Sequence, residues 1–296
     1  MIVEIRSEAM KALVDPAASL DKIAHGLEFG EGPVWDKRTG SLLFVEIIGS
    51  RINRFTPNVG LEVVVPDTGH ANGMTFDHQA RLLVAGWSSR TVWRREHDGS
   101  HTTLASHYQG KAINTPNDIV VRSDGSIYWT DSDGGFYIPG MEGNDVQRYL
   151  DFSGVYRIPP DGGELQLVIR EGLFPNGLAF SPDEKLLYVT DTRGRHLRVF
   201  DVARDGSVGN ARVFYELQGE EPGHADGMKI DVQGNVYCTG PGGIHVLSPA
   251  GELLGRIRVP DDCTNMAWGD KDGRSLYITA FRSLYRIRTQ MPGMQP

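Results

Sequence analysis

Short apolar runs separated by polar turns alternate along almost the entire chain. The runs are rich in Val, Ile, Leu, Tyr, Phe and Trp, and the turns between them are rich in Gly, Asp and Pro. This pattern is typical of short β-strands joined by tight turns. A helical period is nearly absent, apart from one predicted helical turn near Arg6–Leu13. The sequence therefore predicts an all-β protein.

One phrase within this pattern returns six times. Each copy opens with an oxygen-bearing side chain and continues into an apolar run, a turn and a second apolar run. The copies open at Glu31, Asn72, Asn117, Asn176, Asp226 and Asn265, at intervals of 39 to 59 residues. Intervals of this length indicate a repeat architecture. A third strand is predicted in every repeat and a fourth in the first five, which together describe a six-bladed β-propeller.

The two ends of the chain and the longest repeat need separate predictions. The sixth repeat supplies only three strands, so we predict that Leu20–Phe29 provides the fourth strand of the last blade and closes the ring. Such pairing would protect exposed sheet edges. Residues 136–152 are predicted to be a loop insertion near the site. Residues 1–296 are expected to form a single propeller domain, with residues 1–19 as an N-terminal extension.

Composition narrows the classes of partner. A net charge of -8 argues against broad binding to nucleic acid or to anionic membranes. No apolar run is long enough to span a bilayer, and the N-terminus lacks a basic region followed by an apolar one. We therefore expect a cytoplasmic protein, as a monomer or weak homo-oligomer. Cys238 and Cys263 are expected to be buried thiols rather than a disulfide.

The side chains that open the repeats are the candidates for chemistry. In a propeller the innermost strand of each blade runs along the central channel, so residues just before these strands meet at one mouth. Glu31, Asn117, Asn176 and Asp226 would then offer two carboxylates and two amides. This oxygen-rich set suits one hard divalent cation, Ca²⁺ first, with Zn²⁺, Mn²⁺, Mg²⁺ or Fe²⁺ as alternatives. A single Asn or Asp more often only bonds a turn, but four on one repeat frame favour a metal site.

Four phrases in the chain resemble the SMP-30/gluconolactonase family. They are Phe29-Gly30-Glu31-Gly32-Pro33-Val34-Trp35, Pro116-Asn117-Asp118, the run from Pro175 to Asp183, and His224-Ala225-Asp226-Gly227-Met228. The resemblance covers roughly Leu20 to Thr289. It implies a six-bladed propeller with a divalent metal in the channel, and hydrolysis of sugar-acid lactones or, in some relatives, of phosphotriesters. It implies Glu31, Asn176 and Asp226 as metal ligands and Asn117 as a further ligand or substrate contact.

The expected reaction is the opening of a lactone to its aldonic acid, which is a carboxylic ester hydrolysis. A carbonyl bound at a metal is polarised, and the oxyanion that forms gains a cationic partner. Asp226 is the predicted catalytic residue. It acts either as a general base through water or as a direct nucleophile, and a metal-bound hydroxide is the competing nucleophile.

Several further residues are predicted to contact the substrate. They are His70, Asn72, Thr115, Asn117, Asp118, Glu221 and His224. Thr115 stands where the resemblance implies a substrate-binding arginine. Each histidine is either a proton shuttle or a turn residue bonded to backbone, and Asp118 either touches the substrate or supports Asn117. Further candidates for the wall of the site follow the ends of the second strands; they are Trp87, Trp129, Asp131, Asp191 and Arg193.

Three functions remain open from the sequence. The first is a metal-dependent lactonase, which the oxygen ligands and the resemblance both favour. The second is a phosphotriesterase or aryl esterase on the same metal, which a more apolar channel wall would favour. The third is a propeller that only binds a ligand or partner, with the metal stabilising the fold. The lactonase is the hypothesis that we carry into the structure.

Overall fold

The computed structural model describes residues 1–170, 172 and 174–296, and these residues are almost all in strands or the turns between them. The N-terminal segment contains β1 (Val3–Ile5), a short helix α1 (Met10–Leu13) and β2 (Leu20–His25). Blade 1 contains β3 (Gly30–Asp36), β4 (Ser41–Glu46), β5 (Arg51–Thr56) and β6 (Gly60–Pro66). Blade 2 contains β7 (Met74–Phe76), β8 (Leu82–Gly86), β9 (Thr91–Arg95) and β10 (His101–Ala105).

The later blades repeat this order. A small hairpin of β11 (His107–Tyr108) and β12 (Lys111–Ala112) leads into blade 3, which contains β13 (Thr115–Val121), β14 (Ile127–Ser132), β15 (Gly154–Ile158) and β16 (Gln166–Ile169). Blade 4 contains β17 (Pro175–Phe180), β18 (Leu186–Asp191), β19 (His196–Val202) and β20 (Val208–Glu216). Blade 5 contains β21 (Met228–Ile230), β22 (Val236–Gly240), β23 (Gly243–Leu247) and β24 (Leu253–Arg258). Blade 6 contains β25 (Cys263–Gly269), β26 (Ser275–Ala280) and β27 (Ser283–Arg288).

The blades form a ring around a central channel. Within each blade, neighbouring strands pair antiparallel in chain order from the inside outwards. The innermost strands β3, β7, β13, β17, β21 and β25 contact one another in this order, and β25 contacts β3. The predicted six-bladed β-propeller is therefore confirmed.

The N-terminal segment adds strands to two blades. β2 pairs antiparallel with β27 at the outer edge of blade 6. β1 pairs with β24 and becomes a fifth strand of blade 5, which the sequence did not predict. Ion pairs hold that strand in place, because Oε2 of Glu4 lies 2.8 Å from a guanidinium nitrogen of Arg256 and 2.8 Å from one of Arg258. The predicted helical turn is present as α1.

The core consists of apolar layers between neighbouring blades. Aromatic pairs join adjacent blades, with ring centroids 5.6 Å apart for Trp35–Tyr277, 5.0 Å for Tyr128–Phe180 and 4.8 Å for Tyr237–Trp268. Pairs at these distances stabilise a core beyond the area they bury. Trp87 and Trp129 belong to the same layers, with exposed fractions of 2% and 0%. Cys238 and Cys263 are free and buried, as predicted.

Residues 136–152 fold back onto blade 2. The buried side chain of Arg90 donates from Nη1 to the carbonyl oxygen of Gln147 at 2.8 Å. Its guanidinium lies 5.0 Å from the ring centroids of both Phe136 and Tyr149. These contacts hold the predicted insertion against the propeller. No helix in the described part of the chain has the length and apolarity needed to cross a membrane.

Candidate active site

Glycines bring the residues that open successive repeats, which we call the openers, into close backbone contact. A Cβ atom on Gly32 would lie 2.1 Å from the carbonyl oxygen of Asn72, and one on Gly177 would lie 2.5 Å from that of Asp226. The Gly177 N–H donates to this Asp226 oxygen at 3.2 Å. Only glycine allows backbones to approach this closely. The glycine that follows an opener therefore sets the position of the next opener around the mouth.

Threonine hydroxyls make a second set of links between blades. Thr130 donates from Oγ1 to the Asn176 carbonyl oxygen at 2.5 Å, and Thr190 donates to that of Asp226 at 2.6 Å. Both threonines lie near the ends of second strands, where Thr239 also lies. Sequence reasoning missed these links, although the recurring threonine at this position was a usable signal.

Glu31 is a buried carboxylate in the first opener. Its Oε2 accepts the Gly32 N–H at 2.5 Å, and the residue is 2% exposed. Burial, to which the negative charge of Asp118 adds, raises the pKa of Glu31 to about 7. The Gly32 N–H, a hydrogen bond from Asn265 and the charge of Lys229 oppose this rise. The protein thus holds this carboxylate where ionisation is costly.

Asp226 is the second carboxylate of the site. Its backbone N–H donates to Oγ1 of Thr239 at 2.8 Å. The residue is partly exposed, but protein atoms surround its carboxylate densely. Burial, followed by the negative charges of Glu31 and Asp118, raises the pKa of Asp226 well above its usual range. Glu31 and Asp226 are therefore close enough to repel each other, and a positive charge between them would be stabilised.

The amide of Asn176 is oriented by its neighbours. Its Nδ2 donates to Oγ1 of Thr192 at 3.0 Å, and this hydroxyl donates to the carbonyl oxygen of Ala225 at 2.7 Å. With the amide turned this way, the buried Oδ1 of Asn176 has no hydrogen-bond partner among the described residues. An unsatisfied buried acceptor costs about 1–3 kcal/mol, so this oxygen is suited to bind a cation.

The residues present fit a divalent cation. Two carboxylates that repel each other and an unpaired amide oxygen form the kind of donor set that a hard cation takes. No group of three or more carboxylate, imidazole or thiol side chains with metal-binding geometry occurs among the described residues. The candidate set does not require one, because amides supply part of it. Asn117, which carries the other proposed amide, is buried, and its backbone carbonyl oxygen accepts the Gly73 N–H at 2.7 Å.

Asp118 lies beside this set and joins it to two residues that sequence reasoning did not select. Its Oδ1 accepts the Ile119 N–H at 2.8 Å. Its Oδ2 lies 3.7 Å from Nζ of Lys229 and 3.5 Å from Nδ2 of Asn265. Asn265 opens the sixth repeat, so its position was a signal for it. Lys229 had no comparable signal.

The two predicted histidines lie in different surroundings. His70 has a φ of 55°, and its Nδ1 lies 2.8 Å from the carbonyl oxygen of Ile47, which is a turn contact. His224 is exposed, and its carbonyl oxygen accepts the Thr239 hydroxyl at 2.9 Å. The imidazole of His224 borders a crevice of about 690 Å³ that Thr192 also lines. Of the two, His224 is the more exposed.

Asn72, Thr115 and Glu221 complete the predicted set. Oδ1 of Asn72 is buried without a hydrogen-bond partner among the described residues. The Thr115 hydroxyl is fully buried and donates to the Ser132 carbonyl oxygen at 2.9 Å. The Glu221 carboxylate is exposed and pairs with two arginines of β24, each at 2.6 Å. Those arginines lower the pKa of Glu221. The oxygens of Thr115 and Glu221 thus have protein partners, and their contact with a substrate stays a prediction.

Fold and site together define a class: six-bladed propellers with a buried carboxylate and amide cluster at one mouth of the channel. The chain belongs to the SMP-30/Gluconolactonase/LRE-like family, whose family model matches residues 29–282. This confirms the resemblance seen in the sequence.

Individual relatives agree with this assignment. A gluconolactonase of Zymomonas mobilis is 31% identical, over 97% of this chain and 86% of its own. The pentonolactonase XacC of Haloferax volcanii is 29% identical, over 84% of this chain and 80% of its own. The solved structure of a gluconolactonase from Xanthomonas campestris has a TM-score of 0.90 and 31% identity, and covers 98% of this chain and 95% of its own.

Proposed function

We propose that this protein is a divalent-cation-dependent lactonase that opens a sugar-acid lactone to its aldonic acid. The observation that carries the proposal is the convergence of the Glu31 and Asp226 carboxylates with the unpaired amide oxygen of Asn176. Membership in a family with a gluconolactonase and a pentonolactonase among its relatives supports the substrate class. We expect the protein to act in the cytoplasm, as a monomer or weak homo-oligomer.

Glu31, Asn176 and Asp226 are the proposed ligands, with Asn117 as a further ligand or substrate contact. Ca²⁺ is the first choice because every donor is an oxygen, and Zn²⁺, Mn²⁺, Mg²⁺ or Fe²⁺ are alternatives. When bound, the cation would polarise the ester carbonyl and stabilise the negative charge that develops there. Thr192 keeps the Asn176 amide turned so that Oδ1 stays available.

Asp226 is the proposed catalytic residue. As a general base, its carboxylate takes a proton from the water that adds to the carbonyl carbon; the ring C–O bond then breaks, and the leaving oxygen takes this proton to become a hydroxyl. As a nucleophile, the carboxylate itself adds to the carbon, the ring C–O bond breaks to leave an anhydride, and the leaving oxygen takes a proton from water. A second water then cleaves the anhydride, which releases the aldonic acid and restores the Asp226 carboxylate. Thr239 and Gly177 hold the Asp226 backbone from two sides, which fixes the carboxylate at the mouth.

Substrate hydroxyls need acceptors and donors near this carboxylate. Asn72 offers a buried oxygen without a partner among the described residues, which suits a sugar hydroxyl. His224 borders the adjoining crevice from the solvent side. We propose that these two, with His70, Thr115, Asn117, Asp118 and Glu221, form the substrate-binding set. Trp87 and Trp129 are buried in the core, so no apolar wall made from them favours an aryl ester or phosphotriester.

The test is lactone hydrolysis by protein stripped of metal with a chelator. Ca²⁺, Zn²⁺, Mn²⁺ or Mg²⁺ is added back, and acid release from aldonolactones with five- and six-membered rings is followed above uncatalysed hydrolysis. Asp226→Asn keeps an oxygen but removes the base, and loss of a general base costs about 10²–10⁴-fold in rate. Asp183→Asn is the matched control, since Asp183 is an exposed acid on a turn of blade 4.

We expect metal-restored turnover in the wild type and in Asp183→Asn, and its loss in Asp226→Asn. A protein that binds the cation tightly but hydrolyses none of the lactones would instead be a binding propeller. Turnover that is unaffected by the chelator would exclude the proposed role of the cation.

A further inference from the structure

Three polar side chains from different blades meet inside the channel. Lys229 comes from β21, Asp118 from β13 and Asn265 from β25. Nζ of Lys229 donates to Oδ1 of Asn265 at 3.1 Å and lies 3.7 Å from Oδ2 of Asp118. Blades 3 and 6 stand opposite each other in a ring of six, so the contact between Asp118 and Asn265 spans the channel. We call these three residues the channel floor.

The positions of the two floor acceptors are fixed by close packing. A Cβ atom on Gly227 would lie 2.2 Å from Cγ of Asn265, and one on Gly73 would lie 2.6 Å from Cα of Asp118. Backbone N–H groups also bind both side chains at 2.8–2.9 Å, one to Asp118 Oδ1 and one to Asn265 Oδ1. The floor oxygens cannot move apart easily, whatever occupies the space between them.

Three oxygens of different kinds surround the Lys229 ammonium. They are a carboxylate oxygen of Asp118, the amide oxygen of Asn265 and the carbonyl oxygen of Met228, which accepts from Nζ at 3.0 Å. A carboxylate, an amide and a carbonyl are the ligand types that a hard cation selects. The ammonium is a compact point charge with three donors; it donates to the amide and carbonyl oxygens and forms an ion pair with the carboxylate. Asp118 has a side chain only 3% exposed and needs such a positive partner.

We infer that Lys229 is an internal cation that occupies a second potential calcium site in the channel. By holding the floor oxygens itself, Lys229 limits the channel to one divalent cation, the one bound by Glu31, Asn176 and Asp226. The statement that the channel binds one divalent cation rests on the proposed function, whereas the statement that Lys229 occupies the floor site does not. Removing the ammonium while keeping the oxygens creates an anionic pocket that a calcium ion fills.

Calcium stoichiometry tests this inference directly. Chelator-stripped wild type, Lys229→Met and the double variant Lys229→Met/Asp118→Asn are dialysed to equilibrium against calcium chloride, and bound calcium per chain is measured. Thermal unfolding is recorded with calcium and with chelator. Methionine keeps the length of the lysine side chain without its charge, and the second substitution removes the carboxylate that would hold the added ion.

We expect Lys229→Met to bind one more calcium per chain than the wild type, and its melting temperature to rise more with calcium. The double variant should return to the wild-type count. If Lys229→Met folds only with calcium, the inference also holds. Equal counts in wild type and Lys229→Met overturn it, as does a variant that stays unfolded in calcium. A wild type that binds none while Lys229→Met binds one refutes the proposed function and leaves the floor site standing.

Discussion

Asp131 offers a sharp test of the electrostatics beside the site. It is the penultimate residue of β14, the second strand of blade 3, is fully buried, and accepts the Asn114 N–H at its Oδ2 at 2.8 Å. Its Oδ1 has no hydrogen-bond partner among the described residues. Burial raises the pKa of Asp131 to about 7, against the opposing effects of the Asn114 hydrogen bond and the charges of Arg90 and Arg148. The folded protein therefore binds a proton here that the unfolded chain does not.

The sign and size of the effect on stability follow from proton linkage. Between the ordinary pKa of an aspartate and about 7, the folded state holds more protons than the unfolded state, so stability falls as pH rises. Each pH unit costs about 1.4 kcal/mol, so between about pH 5 and pH 7 Asp131 removes about 3 kcal/mol from the free energy of unfolding. The loss levels off about one pH unit above this pKa, where the carboxyl is ionised in the folded state as well.

Asp131→Asn removes this titration. We expect the stability of the variant relative to wild type to improve by about 3 kcal/mol between about pH 5 and pH 8. Denaturant unfolding of both proteins across that range measures the difference, and comparing the two cancels the other titrating groups. Asp98→Asn, on an exposed turn, controls for the loss of one negative charge. A difference between variant and wild type that stays constant across this range would refute the reasoning.

Three further predictions follow from the site. Thr192→Val removes the hydroxyl that accepts from the Asn176 amide, so calcium binding and turnover should both weaken about 10–100-fold while the protein stays folded. Titration calorimetry and kinetics measure the two effects, and unchanged values would contradict the orienting role of Thr192. Gly177→Ala forces a Cβ against the backbone of the next blade and should destabilise by about 1–3 kcal/mol, whereas Gly209→Ala in the same blade meets nothing within 4 Å and should be nearly neutral in the same denaturant assay. Calcium binding should weaken as pH falls below neutral, by up to about tenfold per pH unit, because the raised pKa of Glu31 means that this carboxyl carries a proton which the cation must displace. Calorimetry in buffers of different ionisation enthalpy detects the released proton, and a calcium affinity that is independent of pH would contradict this prediction.

The repeat frame explains how the sequence could suggest a candidate site. Glu31, Asn176 and Asp226 open three copies of one phrase, and equivalent positions in a ring converge by symmetry. After burial, the negative charge of Glu31 is the next cause that raises the pKa of Asp226, which is consistent with the two carboxylates lying near each other. Thr192 could not be predicted in the same way, because its role depends on the orientation of the Asn176 side-chain amide. No periodic pattern in the sequence indicates that orientation.

Contacts between distant parts of the chain account for the other omissions. β1 is a three-residue strand, too short to show a pattern, and its place on blade 5 depends on ion pairs between Glu4 and arginines of β24. Trp87 and Trp129 lie on the repeat frame beside the openers, but the packing of neighbouring blades buries them. The pairing of Glu221 with Arg256 and Arg258 likewise joins residues far apart in sequence.

The sequence by itself determined the number of blades and most of their strands, and it selected the candidate residues for the site. These features depend on local alternation of apolar and polar residues, on turn chemistry and on a repeat interval, all of which are written along the chain. Only the tertiary structure decided that Lys229 of blade 5 reaches Asp118 and Asn265 on two other blades. Such a contact depends on how a closed ring brings separate strands across one channel, and the distance between residues along the chain does not record that geometry.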